Sequence, residues 1–448
     1  MLNKIRFHLT YTQILLLGFL VVILTGTLLL CLPISSRTGE WTPLLPSAFT
    51  ATSAACVTGL ITVDTYTHWS VFGQVVILLL IQTGGLGLMT ILTMLSVVLK
   101  RKVSLHEQRL AMLSAGGTEH GTILLLIKHI FILTFGFEFL GAVVLATQFI
   151  PLFGIGRGAY YAVFHSVSAF CNAGFDLMGT YAPFSSLTPF CTNAVVSVTI
   201  ALLIVVGGVG FLVWSDILHH GWHVRKYDLH SKMVLTMTTA LILIGWVLFY
   251  IFERHASMAG LTEPQKILAS FFQSVTPRTA GFNTVDQAAL SEAGNLLTTV
   301  LMFIGASPGS TGGGIKTTTV FVLLLSILAA AKKDNHITVF KRRLDAGIVR
   351  QTNIIISIYL FGTIAATLAI CGLEPGLALK EVLYEVVSAI ATVGLTTGIT
   401  PSLGGISKAI LILLMYMGRV GGLSVALALV RKKAYVPIER PTQKILIG

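Results

Sequence analysis

Apolar runs of the length needed to cross a hydrocarbon layer recur along this chain, separated by short polar segments. A spanning helix takes about 20 mostly apolar residues. The run at 11–33 has that length with no charge in it, and further runs follow at 70–99, 122–150, 188–218, 233–252, 294–331, 351–371 and 405–430. The pattern predicts eight spanning helices and an all-α integral membrane fold. Lys4 and Arg6 precede the first run, as in a secretory leader, but the run is too long for one and no small-residue cleavage site follows Leu32-Pro33. It is therefore expected to remain in the mature protein.

Alternate loops between these runs share a second pattern. Each holds a moderately apolar stretch, too short to span, that ends in a glycine: Phe49-Thr-Ala-Thr-Ser-Ala-Ala-Cys-Val-Thr-Gly59-Leu60, Phe164-His-Ser-Val-Ser-Ala-Phe-Cys-Asn-Ala-Gly174-Phe175, Phe271-Phe-Gln-Ser-Val-Thr-Pro-Arg-Thr-Ala-Gly281-Phe282 and Tyr384-Glu-Val-Val-Ser-Ala-Ile-Ala-Thr-Val-Gly394-Leu395. The glycines recur 115, 107 and 113 residues apart, and an aromatic sits ten positions before each. Ser53, Ser168 and Ser388 lie six before theirs; in the third copy that position is Val275, with Ser274 beside it. Such self-similarity marks a tandem repeat. Four helix–pore-loop–helix repeats are expected, at 1–109, 110–228, 229–345 and 346–448 with a cytoplasmic tail, their four re-entrant pore helices surrounding a pseudo-fourfold pore. A packing element with a glycine turn would explain one such loop. Four in register point to a lined path, because non-helical backbone at membrane depth persists only around a water- or ion-filled cavity or inside protein.

Composition and charge sharpen the picture. Hydrophobic residues make up 54% of the 448 and charged ones 11%, which excludes an ordinary soluble protein. Cys31, Cys56, Cys171, Cys191 and Cys371 lie in or beside apolar runs without metal-ligand spacing. The formal charge of +12 would suggest nucleic acid were the basic residues not segregated. Twenty lysines and arginines fall in the N-terminus, 100–109, 219–232, 332–350 and the C-terminal tail, against seven in the other loops and their edges. By the positive-inside rule the basic side is cytoplasmic, so both termini are expected inside the cell membrane. No aromatic-interleaved basic module supports a nucleic-acid partner.

The loop chemistry favours a monovalent cation. An ion entering the membrane must exchange its hydration shell for other oxygens, which rings of backbone carbonyls can supply. Extended loops with little side-chain bulk let carbonyls converge, and glycine meets that demand. The expected ion-binding positions are Val57, Thr58 and Gly59; Asn172, Ala173 and Gly174; Thr279, Ala280 and Gly281; and Thr392, Val393 and Gly394. They carry no acidic ring of the kind that would favour divalent ions, and the preceding half-helices aim their negative ends at the cavity. Ten acids in the outer loops, among them Asp64, Asp176, Glu253, Asp286 and Glu385, outnumber seven bases and would concentrate cations at the mouth.

The motifs Val57-Thr-Gly-Leu60, Cys171-Asn-Ala-Gly-Phe175, Thr276-Pro-Arg-Thr-Ala-Gly-Phe-Asn283 and Thr392-Val-Gly-Leu395 resemble those of the Trk/Ktr/HKT superfamily of potassium transporters. More closely, the chain is similar to the membrane subunit of a bacterial Ktr system, KtrB or its KtrD variant. The resemblance covers nearly the whole chain, and with all four filter glycines present it implies selection of potassium over sodium. It also implies a homodimer with one pore per protomer, a cytosolic nucleotide-binding ring of the KtrA or KtrC kind as regulator, and sodium dependence. The basic segments 100–109, 219–232, 332–350 and 431–448 would form the docking surface.

The run at 294–331 is broken by Gly305-Ala-Ser-Pro-Gly-Ser-Thr-Gly-Gly-Gly-Ile-Lys-Thr-Thr-Thr319. Pro308 and five glycines in ten residues cannot continue a helix. A phosphate-binding loop fails on spacing, since Ile315 separates Gly314 from Lys316 and no strand precedes it. The family resemblance makes 305–319 an intramembrane gate below the filter, with Gly312, Gly313, Gly314, Lys316 and Arg419 as the gate residues. Arg419, a costly mid-span charge, is expected to hold the loop through its carbonyls. Glycine clusters at 84–87, 207–210 and 418–422 are expected to serve close helix packing. Glu138 is expected in a structural buried pair.

No nucleotide-binding fingerprint is present, so uptake would be driven by the ion gradient, to which the membrane potential contributes about 2.3 kcal/mol per charge per 100 mV. No cofactor is expected beyond potassium and sodium as transported or coupling ions. The alternative is a secondary transporter of a small organic solute built on broken helices, which inverted repeats would support; these repeats run parallel. An enzyme would need a nucleophile–base constellation that the chain lacks. His219, His220, His223 and His230 read as a solvated loop, without the glutamate of a zinc motif.

Overall fold

The computed structural model describes residues 10–87, 90–91, 93, 123–334 and 336–422. Lys4 and Arg6, the basic segment 100–109 and the tail 431–448 lie outside the described residues. The described chain is predominantly helical, with one two-stranded hairpin, β1 (Thr338–Val339) and β2 (Arg342–Arg343).

Four helices carry the fold: α1 (Tyr11–Cys31), α5 (Ile123–Phe153), α9 (Leu229–Glu253) and α13 (Ala346–Leu373). Their segments Gln13–Cys31, Ile127–Phe153, Leu229–Glu253 and Gly347–Leu373 are long and apolar enough to cross a membrane. The first begins at a capping box in which Thr10 Oγ1 accepts from Gln13 N and Gln13 Oε1 accepts from Thr10 N at 2.9 Å. It is apolar all round: Ile23 and Leu30 are buried while Val21, Leu24 and Leu28 stay exposed, as a helix facing lipid on one side requires.

Each long helix packs on a shorter one: α2 (Leu44–Ala55), α6 (Ile155–Phe170), α10 (Glu263–Val275) and α14 (Leu379–Ile390). These short helices are the centre of the molecule, and Phe49, Phe164 and Tyr384 on them are fully buried. In the third copy the fully buried aromatic is Phe272 rather than Phe271, so the register read from the sequence slips there by one residue.

After a loop, a further apolar helix follows each short one: α4 (Val71–Leu86), α7 (Ala194–Val209), α11 (Glu292–Phe303) and α15 (Gly405–Val420), with the four-residue α3 (Thr65–His68) before α4. Here the structure departs from eight uninterrupted runs. Among the described residues four helices pass the length and composition test for crossing, or five if the pair α7 and α8 (Phe211–His220), bent by 92°, is one span. Helix α4 stops at Gly87 (φ 81°), α7 at Gly210 (φ 104°) and α15 at Gly421 (φ 92°). The third run breaks after Phe303 and resumes as α12 (Thr317–Ala331).

The sequence placed one break, in 294–331, and gave the other glycine clusters to packing. The structure divides that labour. A Cβ on Gly84, Gly207 or Gly418 would strike the carbonyl oxygen of Ala55, Phe170 or Ile390, the end of the neighbouring short helix. The glycine three residues later supplies the positive φ that ends the helix.

Side-chain ties join the end of a long helix to the start of the next apolar one. Asn193 Nδ2 donates to Gln148 Oε1 at 3.0 Å. Glu253, fully buried, accepts from Ser291 N at 3.0 Å and from both N and Oγ of Ser257. Glu374 accepts from Gly404 N at 2.7 Å and Ser407 Oγ at 2.8 Å.

Candidate functional site

The four glycine loops meet at one place. A Cβ built on Gly59 would lie 2.5 Å from the carbonyl oxygen of Ala173, one on Gly174 2.7 Å from that of Ala280, and one on Gly281 2.5 Å from that of Val393. A Cβ on Gly394 would strike the carbonyl oxygen of Thr58, which closes the circuit. Each glycine therefore faces the residue before the next glycine, in the order first, second, third, fourth, first. The same ring places Cα of the following glycine within 3.2 Å of each hypothetical Cβ. Glycine is dictated here by space as well as by φ, since even one methyl group would collide with its neighbour's backbone.

The backbone of these loops is unusual in a regular way. Val57, Asn172, Thr279 and Thr392 have φ of 56°, 58°, 69° and 51°, and the glycines two residues on have 94°, 70°, 83° and 93°. Carbonyls of an ordinary strand alternate in direction. A left-handed residue at every second position turns successive carbonyls to one side, at a cost in strain for the non-glycine members.

The amides point the other way and are tied down. Thr58 N, Ala173 N and Val393 N donate to Ser53 O, Ser168 O and Ser388 O at 2.8 Å, and Ala280 N donates to Thr276 O at 3.0 Å. Gly59 N donates to Ser53 Oγ and Gly394 N to Ser388 Oγ, both at 3.0 Å. Among the described residues no hydrogen bond ends on the carbonyl oxygens of 57–59, 172–174, 279–281 or 392–394. Buried carbonyls without donors in a closed ring are chemically a cage for a cation.

Ser168 Oγ instead donates to Phe175 O at 2.7 Å, one residue beyond its glycine. In the third copy Thr276 makes the matching bond to Phe282 O, while Ser274 turns away to Ile242 O. By sequence alone this position falls on Val275, with Ser274 beside it; a register shift within the motif hid Thr276. Arg278, in the same loop, is 5% exposed and donates through Nη2 to Thr238 Oγ1 at 3.2 Å.

Beside the ring lies the segment between α11 and α12. Its ends are bridged at Ile304 and Ile315, and Thr317 N donates to Ala306 O at 3.3 Å. Ser307 N and Thr311 N donate to Gly208 O and Gly207 O, and Phe211 N donates back to Gly309 O at 2.7 Å, so the segment is stitched to the α7–α8 bend. Gly312 packs on Thr279, Gly313 on Thr392 and Gly314 on Ala391: a Cβ on either of the first two would strike the threonine Oγ1. Lys316 Nζ donates to Gly312 O at 2.7 Å and Gly313 O at 3.3 Å. Arg419, partly buried at the end of α15, donates through Nη1 to Thr311 O and through Nη2 to Gly84 O.

Glu138 on α5 faces an amide rather than a cation: Gln82 Nε2 donates to its two oxygens at 3.0 and 3.3 Å. The acids expected to ring the mouth have local partners. Asp64 accepts from Tyr66 N, Thr67 N and Phe184 N, Asp176 from Met178 N and Asp286 from Ala288 N. Glu253 and Glu385, counted with the outer loops by sequence, are 0% and 1% exposed. His220 Nδ1 lies 2.7 Å from Asp216 Oδ1, and the described residues hold no cluster of three or more potential metal ligands.

A ring of carbonyls without donors among the described residues, set among apolar helices long enough to cross a membrane, fits a multi-pass membrane protein, and the class is that of the cation transporters. The family described as TrkH, cation transport protein, matches residues 6–435, and the chain belongs to it, as a Trk/Ktr superfamily membrane subunit. It is 40% identical to the potassium/sodium uptake protein NtpJ of Enterococcus hirae, over 100% of this chain and 99% of that protein. It is 38% identical to the Ktr system potassium uptake protein B of Vibrio alginolyticus, over 97% and 94% of the two chains. The crystal structure of the potassium transporter TrkH from Vibrio parahaemolyticus shares the fold, with a TM-score of 0.72 and 19% identity over 95% of this chain and 86% of that one.

Proposed function

We propose that the chain takes up potassium through a channel-like pore driven by the ion gradient, with 57–59, 172–174, 279–281 and 392–394 as its selectivity filter. The observation that carries this reading is the closed glycine-to-carbonyl ring, whose oxygens have no donor among the described residues. Carbonyl rings replace an ion's hydration shell, and the relatives' names supply the ion. Four repeats of two spans and a re-entrant half-helix, both termini cytoplasmic, account for the order of elements. An organic-solute transporter would need room at the axis, where backbone strands instead meet glycine to glycine.

In this reading 305–319 is the gate. Gly312 and Gly313 abut Thr279 and Thr392 of the filter, and the carbonyls of Gly312, Gly313 and Thr311 are fastened by Lys316 and Arg419. A homodimer regulated by a cytosolic nucleotide-binding ring, with sodium dependence, completes the proposal. The test is growth of a potassium-uptake-deficient host on limiting potassium, with and without a nucleotide-binding partner subunit. Rescue is expected in at least one case, and no rescue in either refutes the assignment.

A further inference from the structure

Nine residues before the glycine, on the buried face of the short helix, the four loops carry Thr50, His165, Phe272 and Glu385. Two of these reach across to the chain that leaves the ring. His165 is fully buried; its Nδ1 lies 2.7 Å from Tyr161 O and so carries the proton, and its Nε2 accepts from Leu177 N at 3.3 Å. Leu177 is three residues past Gly174. Glu385 is 1% exposed and accepts from Thr396 Oγ1 and, at 2.9 Å, from Thr400 Oγ1. Thr396 is two residues past Gly394. Thr50 Oγ1 has no hydrogen-bond partner among the described residues; in the third copy, where the register slips by one residue, the equivalent place is held by Gln273, whose Oε1 accepts from Gln287 Nε2 at 3.3 Å, a side chain six residues past Gly281.

We propose that His165 and Glu385 are positioning residues that determine selectivity, by bracing the second and fourth loops from behind. In the ring the second loop neighbours the first and third, so it stands opposite the fourth. The two braces therefore act across one diagonal. Left-handed non-glycine residues at Asn172 and Thr392 are strained and persist only where the surroundings over-determine them. Each brace fixes the exit of such a strand to its own half-helix, so the strand is held at both ends. A strand freed at its exit can relax and close round a smaller ion, which lowers discrimination against sodium without removing conduction.

The inference rests on the filter reading above, and its test separates the two. Variants are purified, checked for monodispersity, reconstituted in liposomes and assayed for rubidium uptake and for the sodium concentration that halves it. For His165→Leu and Glu385→Leu the rubidium-over-sodium preference should fall about tenfold at retained uptake. His165→Gln and Glu385→Gln, which keep a hydrogen-bond acceptor on the side chain, should restore most of it. A role in folding alone would lower yield and leave the preference of the folded protein unchanged. The double variant Thr396→Val/Thr400→Val removes the donors without touching the half-helix and should show the same fall should Glu385→Leu misassemble. Unchanged preference in His165→Leu or in the double variant overturns the proposal. A wild-type protein without preference for rubidium overturns the filter reading itself.

Discussion

Arg419 and Thr311 are joined by a hydrogen bond from the guanidinium Nη1 to the backbone oxygen, while Nη2 of the same side chain holds Gly84 O. One side chain thus ties the end of α15 to the proposed gate and to the end of α4. Hydrogen bonds from a charged donor contribute about 1.5–3 kcal/mol each. Arg419→Ala is therefore expected to raise rubidium flux through liposomes lacking any regulator, by about tenfold or more for a loss of about 1.4 kcal/mol. Arg419→Lys keeps the charge but cannot fork between two carbonyls and should fall between. Wild-type flux in a monodisperse Arg419→Ala protein would remove this residue from the gate.

Substitution of a glycine in the proposed filter should act on selectivity before it acts on stability. In Gly281→Ser the new Cβ meets Val393 O at 2.5 Å, and in Gly394→Ser it meets Thr58 O more closely still. Neither neighbour is a flexible side chain, so the strands themselves must shift. Sodium should then compete better with rubidium in both variants, with the larger change in Gly394→Ser. Unaltered competition in each of Gly59→Ser, Gly174→Ser, Gly281→Ser and Gly394→Ser would place the filter elsewhere.

Much of this site was legible in the sequence because its main constraint, a glycine where no Cβ fits, leaves a fixed mark at a fixed interval. The serine at position −6 was legible for the same reason, as Ser53 and Ser388 both bond their glycine's amide. What escaped was chemistry that changes residue type between copies. Thr276 does in the third loop what Ser168 does in the second, from one position later. His165 and Glu385 share a register but no chemistry, so no pattern links them. The helix stops at Gly87, Gly210 and Gly421 were hidden because an apolar run reads the same whether it is straight or bent. Glu253 reads as a loop acid until the fold brings Ser257 and Ser291 to it.

That last carboxylate yields a stability prediction. Glu253 accepts from Ser257 N and Oγ at 3.3 and 2.6 Å and from Ser291 N and Oγ at 3.0 and 2.5 Å, and Gly294 leaves no room beside it. Glu253→Ala would leave those donors unsatisfied in a buried site, at a cost of several kcal/mol, taking about 1–3 kcal/mol for each orphaned group. The detergent-solubilised protein should lose thermal stability clearly, while the rubidium-over-sodium preference of what remains folded stays at the wild-type value. A wild-type melting temperature would show that Glu253 contributes little to joining α9 and α11.

Gly313 and Thr392 give the sharpest test of how the proposed gate and the proposed filter touch. A Cβ on Gly313 would strike Thr392 Oγ1 and lie 3.1 Å from its Cγ2. Gly313→Ala must therefore push the segment away from the filter threonine, and flux should rise as it does in Arg419→Ala. Thr392→Ala removes both threonine atoms and leaves space for the new methyl group. The double variant Gly313→Ala/Thr392→Ala should return toward the low flux of Thr392→Ala alone. Residues in direct contact couple by about 0.5–3 kcal/mol, so the fluxes of the four proteins should depart from additivity by a factor between about two and a hundred. Strict additivity would mean that the two residues do not meet in the conducting cycle and that the segment does not act by bearing on Thr392.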